Sequence, residues 1–222
     1  MGTESRFQHT SLADLIRKKL MKGFYFITDA NLSLAGSRSD VRAAAKAGAK
    51  IIQYRRKEGT TASLYKEARE LKSLCKDAKF IVNDRVDIAL AIDADGVHVG
   101  RDDLPVKVVR YLLGPDKILG VTVRDLEEAV QAEKEGADYL GVGPVYYTST
   151  KKDAGPPAGI QLIRNVRNVC RLPVVAIGGI TLENADEVIK AGADMICAVS
   201  ATVAEPDVGK AVSDFQKLFK YH

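Results

Sequence analysis

Short apolar runs recur along the chain. "FYFIT" (24–28), "KIIQY" (50–54), "KFIV" (79–82) and "DGVHV" (95–99) fill the first half. "KILGV" (117–121), "DYLGV" (138–142), "VVAIG" (174–178) and "DMICAV" (194–199) fill the second. They are rich in β-branched and aromatic residues and do not strictly alternate with polar ones, as expected of strands buried on both faces. Between them lie stretches of helical period. "SDVRAAAKAGA" carries Ser39 or Asp40 as a cap and Gly48 as a terminator. Residues 61–78 put Leu64, Ala68, Leu71 and Leu74–Cys75 on one face. Segments 126–137 and 182–193 end at Gly136 and Gly192, where glycine supplies the left-handed conformation that closes a helix before a strand.

The runs are spaced about 24 residues apart, without a break in composition. Eight such units predict one α/β domain, a closed (βα)8 TIM barrel spanning 22–222. Residues 1–21 read as an N-terminal extension, and the amphipathic "SLADLIRKKL" (11–20) predicts an extra helix packed outside the barrel. An open doubly wound sheet would usually show Gly-x-Gly-x-x-Gly after its first strand; here that strand leads into "TDANLSLAGSRSD", which lacks it.

Composition narrows the partners. The 222-residue chain is 46% hydrophobic with a net charge of +4, which argues against a duplex nucleic-acid binder and is compatible with an anionic small substrate. Its apolar runs fall short of the ~18 residues a membrane span needs. Cys75, Cys170 and Cys197 are far apart, odd in number and form no Cys-x-x-Cys, and no secretory segment precedes them. This predicts a reducing cytoplasm, with the cysteines as core or helix residues. His9, His98 and His222 make no ligand cluster, and His98 reads as a packed strand residue. The sequence leaves room for a homo-oligomer.

In a barrel of this kind the chemistry sits at the C-terminal ends of the strands. After the second run, alternation sends Gln53, Arg55 and Lys57 to one side and Tyr54 and Arg56 to the other. An amide, a guanidinium and an ammonium facing one way suit a multiply charged anion; the plainer reading is a solvated loop paired to Glu58. Asn83 and Asp84 follow the third run, Asp102 and Asp103 the fourth. Carboxylates on neighbouring strands either neutralise those cations or hold Mg²⁺, which prefers one or two carboxylates plus phosphate oxygens and water. Asp87 and Asp93 are placed on the intervening helix as surface residues, and Asp95 at the wrong end of the barrel. The loop "GVGPVYYTSTKKDAGPPAG" is long and rich in hydroxyls, so Thr148, Ser149, Thr150, Lys151 and Lys152 are placed to close over phosphate. "AIGGI" and "AVSAT" follow the last two runs, where such barrels often bind phosphate through backbone N–H groups. Two anion sites on one mouth, one metal-assisted and one metal-free, predict two phosphorylated small-molecule substrates.

"QYRRK", "VNDR", "ADGVHVGRDD", "GPVYYTSTKKD", "VVAIGGI" and "AVSA", in this order and spacing, resemble the thiamine phosphate synthase (thiamine phosphate pyrophosphorylase) family over about residues 22–218. The resemblance implies a Mg²⁺-dependent transferase that joins hydroxymethylpyrimidine diphosphate to a thiazole phosphate, releasing diphosphate. It also implies a dissociative mechanism, in which a pyrimidine methyl cation forms before the thiazole nitrogen attacks. Gln53, Arg55, Lys57 and Asn83 match the residues that hold the pyrimidine diphosphate, and Asp84 and Asp103 the magnesium ligands. Thr122 stands where the family usually has serine near the pyrimidine. Thr148 and Thr150 match the thiazole-phosphate contacts, Lys151 the lysine that reaches the diphosphate, and Gly179, Val199 and Ser200 the phosphate turns. Arg55, Lys57, Thr122 and Lys151 would carry the catalysis. Arg101 stands where glutamine is common, and 153–159 is not closely family-like. A thiazole tautomerase sibling would show a histidine after the fifth run, where this chain has Arg124. A non-catalytic phosphate-ligand-binding barrel would need no metal pair.

Overall fold

The computed structural model describes residues 21–150 and 154–221; the helix predicted over 11–20, and Lys151 and Lys152, lie outside the described residues. Eight parallel strands close into a barrel in sequence order, each paired with the next and the last with the first. They are β1 (Gly23–Ile27), β2 (Ile51–Tyr54), β3 (Lys79–Asn83), β4 (Gly96–Val99), β5 (Ile118–Val123), β6 (Tyr139–Val142), β7 (Val174–Ile177) and β8 (Met195–Cys197). The helices among the described residues are α1 (Ser37–Lys46), α2 (Thr61–Lys72), α3 (Val86–Ala91), α4 (Val106–Leu113), α5 (Leu126–Lys134), α6 (Gly159–Val169), α7 (Ala185–Lys190), α8 (Ser200–Val203) and α9 (Val208–Leu218). The predicted barrel is thus the observed one.

Two cores follow from the alternation of side chains along each strand. Outward residues such as Phe24, Phe80, Leu119 and Val174 pack under the helices, and Phe24 stacks on Phe215 of α9 at 5.0 Å. Inward residues Tyr25, Ile51, Ile81, Tyr139, Val175 and Met195 fill the barrel. Full burial of one such side chain contributes roughly 1.5–3 kcal/mol.

The floor opposite the mouth is closed by a repeated device. Asp95, Asp138 and Asp194 each precede a strand, and each accepts the first free N–H of the strand before: Phe80 N at 2.9 Å, Leu119 N at 2.8 Å and Val174 N at 2.8 Å. Lys79, Arg110 and Arg167 pair with these carboxylates. Asp95 is therefore structural, as its position predicted.

Four local expectations are corrected. Helix α1 begins at Ser37, not at Ser39 or Asp40, because Gly36 at φ 83° turns the chain early and its carbonyl accepts from Ser39 and Asp40 N–H. Asp40 is buried instead, which raises its carboxyl pKa. Helix α2 stops at Lys72, since the Ser73 hydroxyl bonds the Glu70 carbonyl at 2.6 Å and the chain tightens into turns through Cys75. Asp93 lies beyond α3 in a left-handed turn (φ 54°), paired to Lys117 at 2.6 Å. Arg55 and Arg56 pair with Asp29 and Glu67 rather than with Glu58.

Candidate active site

The strand ends place the predicted residues around one mouth containing two joined cavities. One, of about 140 Å³, reaches into the barrel and is floored by Tyr25, Gln53, His98, Thr122 and Tyr139. The other, of about 90 Å³, is charged and holds Lys57, Asp84, Asp102 and Asp103. Arg55, Asn83, His98, Thr122 and Arg124 line both, so the cavities meet at these residues.

On β2 the alternation acts as predicted. Tyr54 and Arg56 turn outward to Glu67 of α2, at 2.7 and 2.8 Å. Gln53 and Arg55 turn inward, and Lys57 reaches the charged cavity. Arg55 is steadied from β1. Its N–H donates to the Thr28 hydroxyl at 3.0 Å, and its guanidinium lies 3.5 Å from the Asp29 carboxylate.

Asp84 takes a left-handed backbone at φ 60° and donates its N–H to the His98 carbonyl at 2.8 Å. Such a conformation is unusual for a residue other than glycine and clusters at functional sites. It turns Asp84 toward Asp103, whose Oδ2 accepts from Gly100 N at 2.7 Å. Burial first, then the adjacent Asp103 carboxyl, pushes the Asp84 carboxyl up to about 6; Lys57 and Arg55 only partly offset this. Two like charges are held together beside two cations, an arrangement that a divalent cation relieves. The described residues contain no group of three or more His, Cys, Asp or Glu suited to a metal. Two hard oxygen donors with room for water and phosphate oxygens fit Mg²⁺ rather than zinc. Asp102 is exposed at the rim, and Arg101 is turned aside by its pair with Glu128.

Asp84→Asn keeps the shape and tolerates φ 60° but removes the repulsion. The folded carboxyl titrates above its unfolded value of 3.8, so the parent loses stability as pH rises from about 4 to about 6 and carries the full penalty at pH 7. Without metal, the variant should gain about 1 kcal/mol at pH 7, discounted for partial exposure, or about 2–4 °C in Tm. The gain should vanish toward pH 4. Thermal melts across this range check it, and a variant less stable than the parent at pH 7 contradicts it.

On the far side, Gly178 and Gly179 turn the chain after β7 at φ 103° and 64°. Val199 and Ser200 begin the short α8 after β8. The β6 loop extends the ladder past its strand, with Val145 N and Tyr146 N donating to the Ile177 and Gly178 carbonyls, both at 2.9 Å. This seats Thr148 and Thr150 on the cavity wall beside Gly179, Val199 and Ser200. Lys151 lies outside the described residues.

Residues that the sequence did not assign to the site also belong here. Thr28 and Asp29 follow β1 as Asp84 follows β3, so their position was a usable signal. Tyr25, Tyr139 and His98 join in hydrogen bonds across the floor, and Arg124 stands at the rim of both cavities.

The family model, the curated relatives and one solved structure agree. The family model described as thiamine monophosphate synthase matches residues 24–202. A thiamine-phosphate synthase of Methanosarcina barkeri is 53% identical over 193 residues, covering 86% of this chain and 88% of its own length. That of Methanospirillum hungatei is 52% identical over 199 residues, covering 88% and 97%. The solved thiamine phosphate pyrophosphorylase of Pyrococcus furiosus superposes with a TM-score of 0.84 at 42% identity, covering 93% of this chain and 98% of that one.

Proposed function

Because the chain belongs to the thiamine monophosphate synthase family, and its activity is the synthesis of thiamine phosphate, a group transfer, we propose how the two cavities divide that reaction. The observation that carries the proposal is their junction at Arg55, Asn83 and Thr122, where an uncharged floor meets a cavity of paired acids and bases.

The pyrimidine of hydroxymethylpyrimidine diphosphate occupies the floor, against Gln53 and Thr122, and its diphosphate lies over Arg55, Lys57 and Asn83; Lys151 is assigned to the same diphosphate by the family resemblance alone. Mg²⁺ held by Asp84 and Asp103 would neutralise charge on the diphosphate. The methylene C–O bond breaks and its electron pair leaves with the diphosphate. Arg55 and Lys57 stabilise the charge that builds there, which helps the transition state more than the ground state. The methyl cation is delocalised into the ring. Among the described residues the floor of Tyr25, Gln53, His98, Thr122 and Tyr139 carries no lysine or arginine, and Arg55 and Arg124 stand where the two cavities meet, toward the leaving group. The thiazole phosphate is anchored through Thr148, Thr150 and the turns at Gly179, Val199 and Ser200, which aims its ring nitrogen at the methylene carbon. That nitrogen's lone pair forms the new C–N bond. Positioning of the two partners does the rest, and no side-chain nucleophile is used.

The test supplies both phosphorylated precursors and follows thiamine phosphate and diphosphate. Equal amounts of each should form with Mg²⁺, stop in excess chelator and return when Mg²⁺ is restored. Full turnover in chelator would rule out the metal role.

The described helices include none long and apolar enough to cross a membrane.

A further inference from the structure

The floor of the mouth is a continuous hydrogen-bonded chain. Tyr25 and Tyr139 are buried, with their hydroxyls 2.7 Å apart. Gln53 Nε2 donates to Tyr25 Oη at 2.9 Å. Tyr139 Oη lies 2.9 Å from His98 Nδ1, and His98 Nε2 lies 2.8 Å from Thr122 Oγ1. Space for these rings is made by two glycines on neighbouring strands. A Cβ at Gly120 would lie 2.0 Å from the Tyr139 ring and 2.5 Å from His98 Nδ1, and one at Gly141 would lie 3.0 Å from His98 Cε1.

The chain has a direction. An amide nitrogen only donates, so Tyr25 Oη accepts from Gln53 and passes its own proton to Tyr139, its other partner. Reversal would leave Tyr25 accepting twice, with its proton buried and unbonded, which folded proteins avoid. Burial raises the pKa of both phenols, so both keep their protons. Tyr139 then donates to Nδ1, the imidazole carries its proton on Nε2, and Nε2–H donates to Thr122. The Thr122 oxygen is thereby used as an acceptor, and its own proton is left for the cavity that it lines.

We propose that Tyr139, backed by Tyr25 and Gln53, is a positioning residue that holds His98 in its Nε2–H tautomer, so that Thr122 offers the bound pyrimidine a hydrogen-bond donor. The proposal rests on the reading that the pyrimidine occupies this floor. A ring nitrogen with a free lone pair is what such a donor meets, and the tautomer sets the polarity before substrate arrives.

Nitrogen-15 NMR of the unliganded protein tests it directly, with the His98 signals identified by their loss in His98→Gln. The parent should show an unprotonated Nδ1 and a protonated Nε2. In Tyr139→Phe the lock is gone. His98 should become a mixture of tautomers, and kcat/KM for the pyrimidine diphosphate should fall about 10- to 30-fold, the scale of one hydrogen bond. KM for the thiazole phosphate should hold. Tyr25→Phe keeps the bond to Nδ1 and should lose less. A protonated Nδ1 in the parent overturns the proposal even if Tyr139→Phe fails to fold. So does a Tyr139→Phe protein with the parent's tautomer and kcat/KM, or with equal losses on both substrates. The spectrum needs no turnover, so a parent that made no thiamine phosphate would defeat the reading of the reaction separately.

Discussion

Asp103→Asn should lose turnover by on the order of 10²- to 10³-fold while leaving the fold intact, the scale seen when one group stabilising a developing anion is removed. Asparagine is the informative replacement. Its side-chain oxygen can still accept from Gly100 N, as the Asp103 carboxylate does at 2.7 Å, so the β4 exit keeps its shape. What disappears is the charge opposite Asp84. The loss should fall mainly on kcat, because in the proposed dissociative step the diphosphate takes on one further negative charge as the C–O bond breaks. The Mg²⁺ concentration giving half-maximal rate should rise as well. Steady-state kinetics across a magnesium titration check both. A variant with the parent's kcat and the parent's magnesium dependence would remove Asp103 from the metal site.

Gly179→Val should be the most damaging change on the opposite side of the mouth. The sequence suggests that a branched side chain there would cover the phosphate-binding N–H groups. The structure gives a different cause. A Cβ at Gly179 would lie 2.4 Å from the Tyr147 carbonyl oxygen and 2.7 Å from Tyr146 Cβ, so valine would drive into the β6 loop. Its φ of 64° adds strain of roughly 1–3 kcal/mol for a branched residue. The loop that carries Thr148 and Thr150 has to shift, and the cavity wall that they form with Gly179, proposed to hold the thiazole phosphate, shifts with it. Tm should fall by several degrees, and the apparent affinity for thiazole phosphate should drop at least tenfold more than that for the pyrimidine diphosphate. Equal losses on both substrates would mean that the whole barrel, rather than this wall, had been disturbed.

The strands and the split of side chains on β2 were legible because each depends on local pattern. Parallel strands buried on both faces read as short apolar runs, and alternation alone separates Gln53 and Arg55 from Tyr54 and Arg56. Asp84 and Asp103 were legible by position, at the ends of neighbouring strands. Asp29 holds the equivalent position after β1 but sits in "TDANLS", which reads as a turn. It does cap that turn, accepting from Asn31 N at 3.0 Å, while its other oxygen reaches Arg55. One residue with two roles shows only the local one in the sequence. His98 read as a packed strand residue, and it is packed, but its partners Thr122 and Tyr139 lie 24 and 41 positions away and meet it only when the barrel closes. The start of α1 was misplaced because Gly36 turns the chain with its backbone alone and uses no side-chain cap.

The proposed division of the mouth sets leaving group and metal at the ends of β2, β3 and β4, and acceptor phosphate at the turns after β7 and β8. Crystals grown with Mn²⁺ in place of Mg²⁺, diphosphate and thiamine phosphate test it most directly, through the anomalous signal of the metal. The predicted map shows manganese between Asp84 and Asp103, touching diphosphate oxygens beside Arg55 and Lys57, with the phosphate of thiamine phosphate at Gly179 and Ser200. Manganese bound away from the two aspartates, or that phosphate seated among Asp84, Asp103 and Lys57, would contradict it.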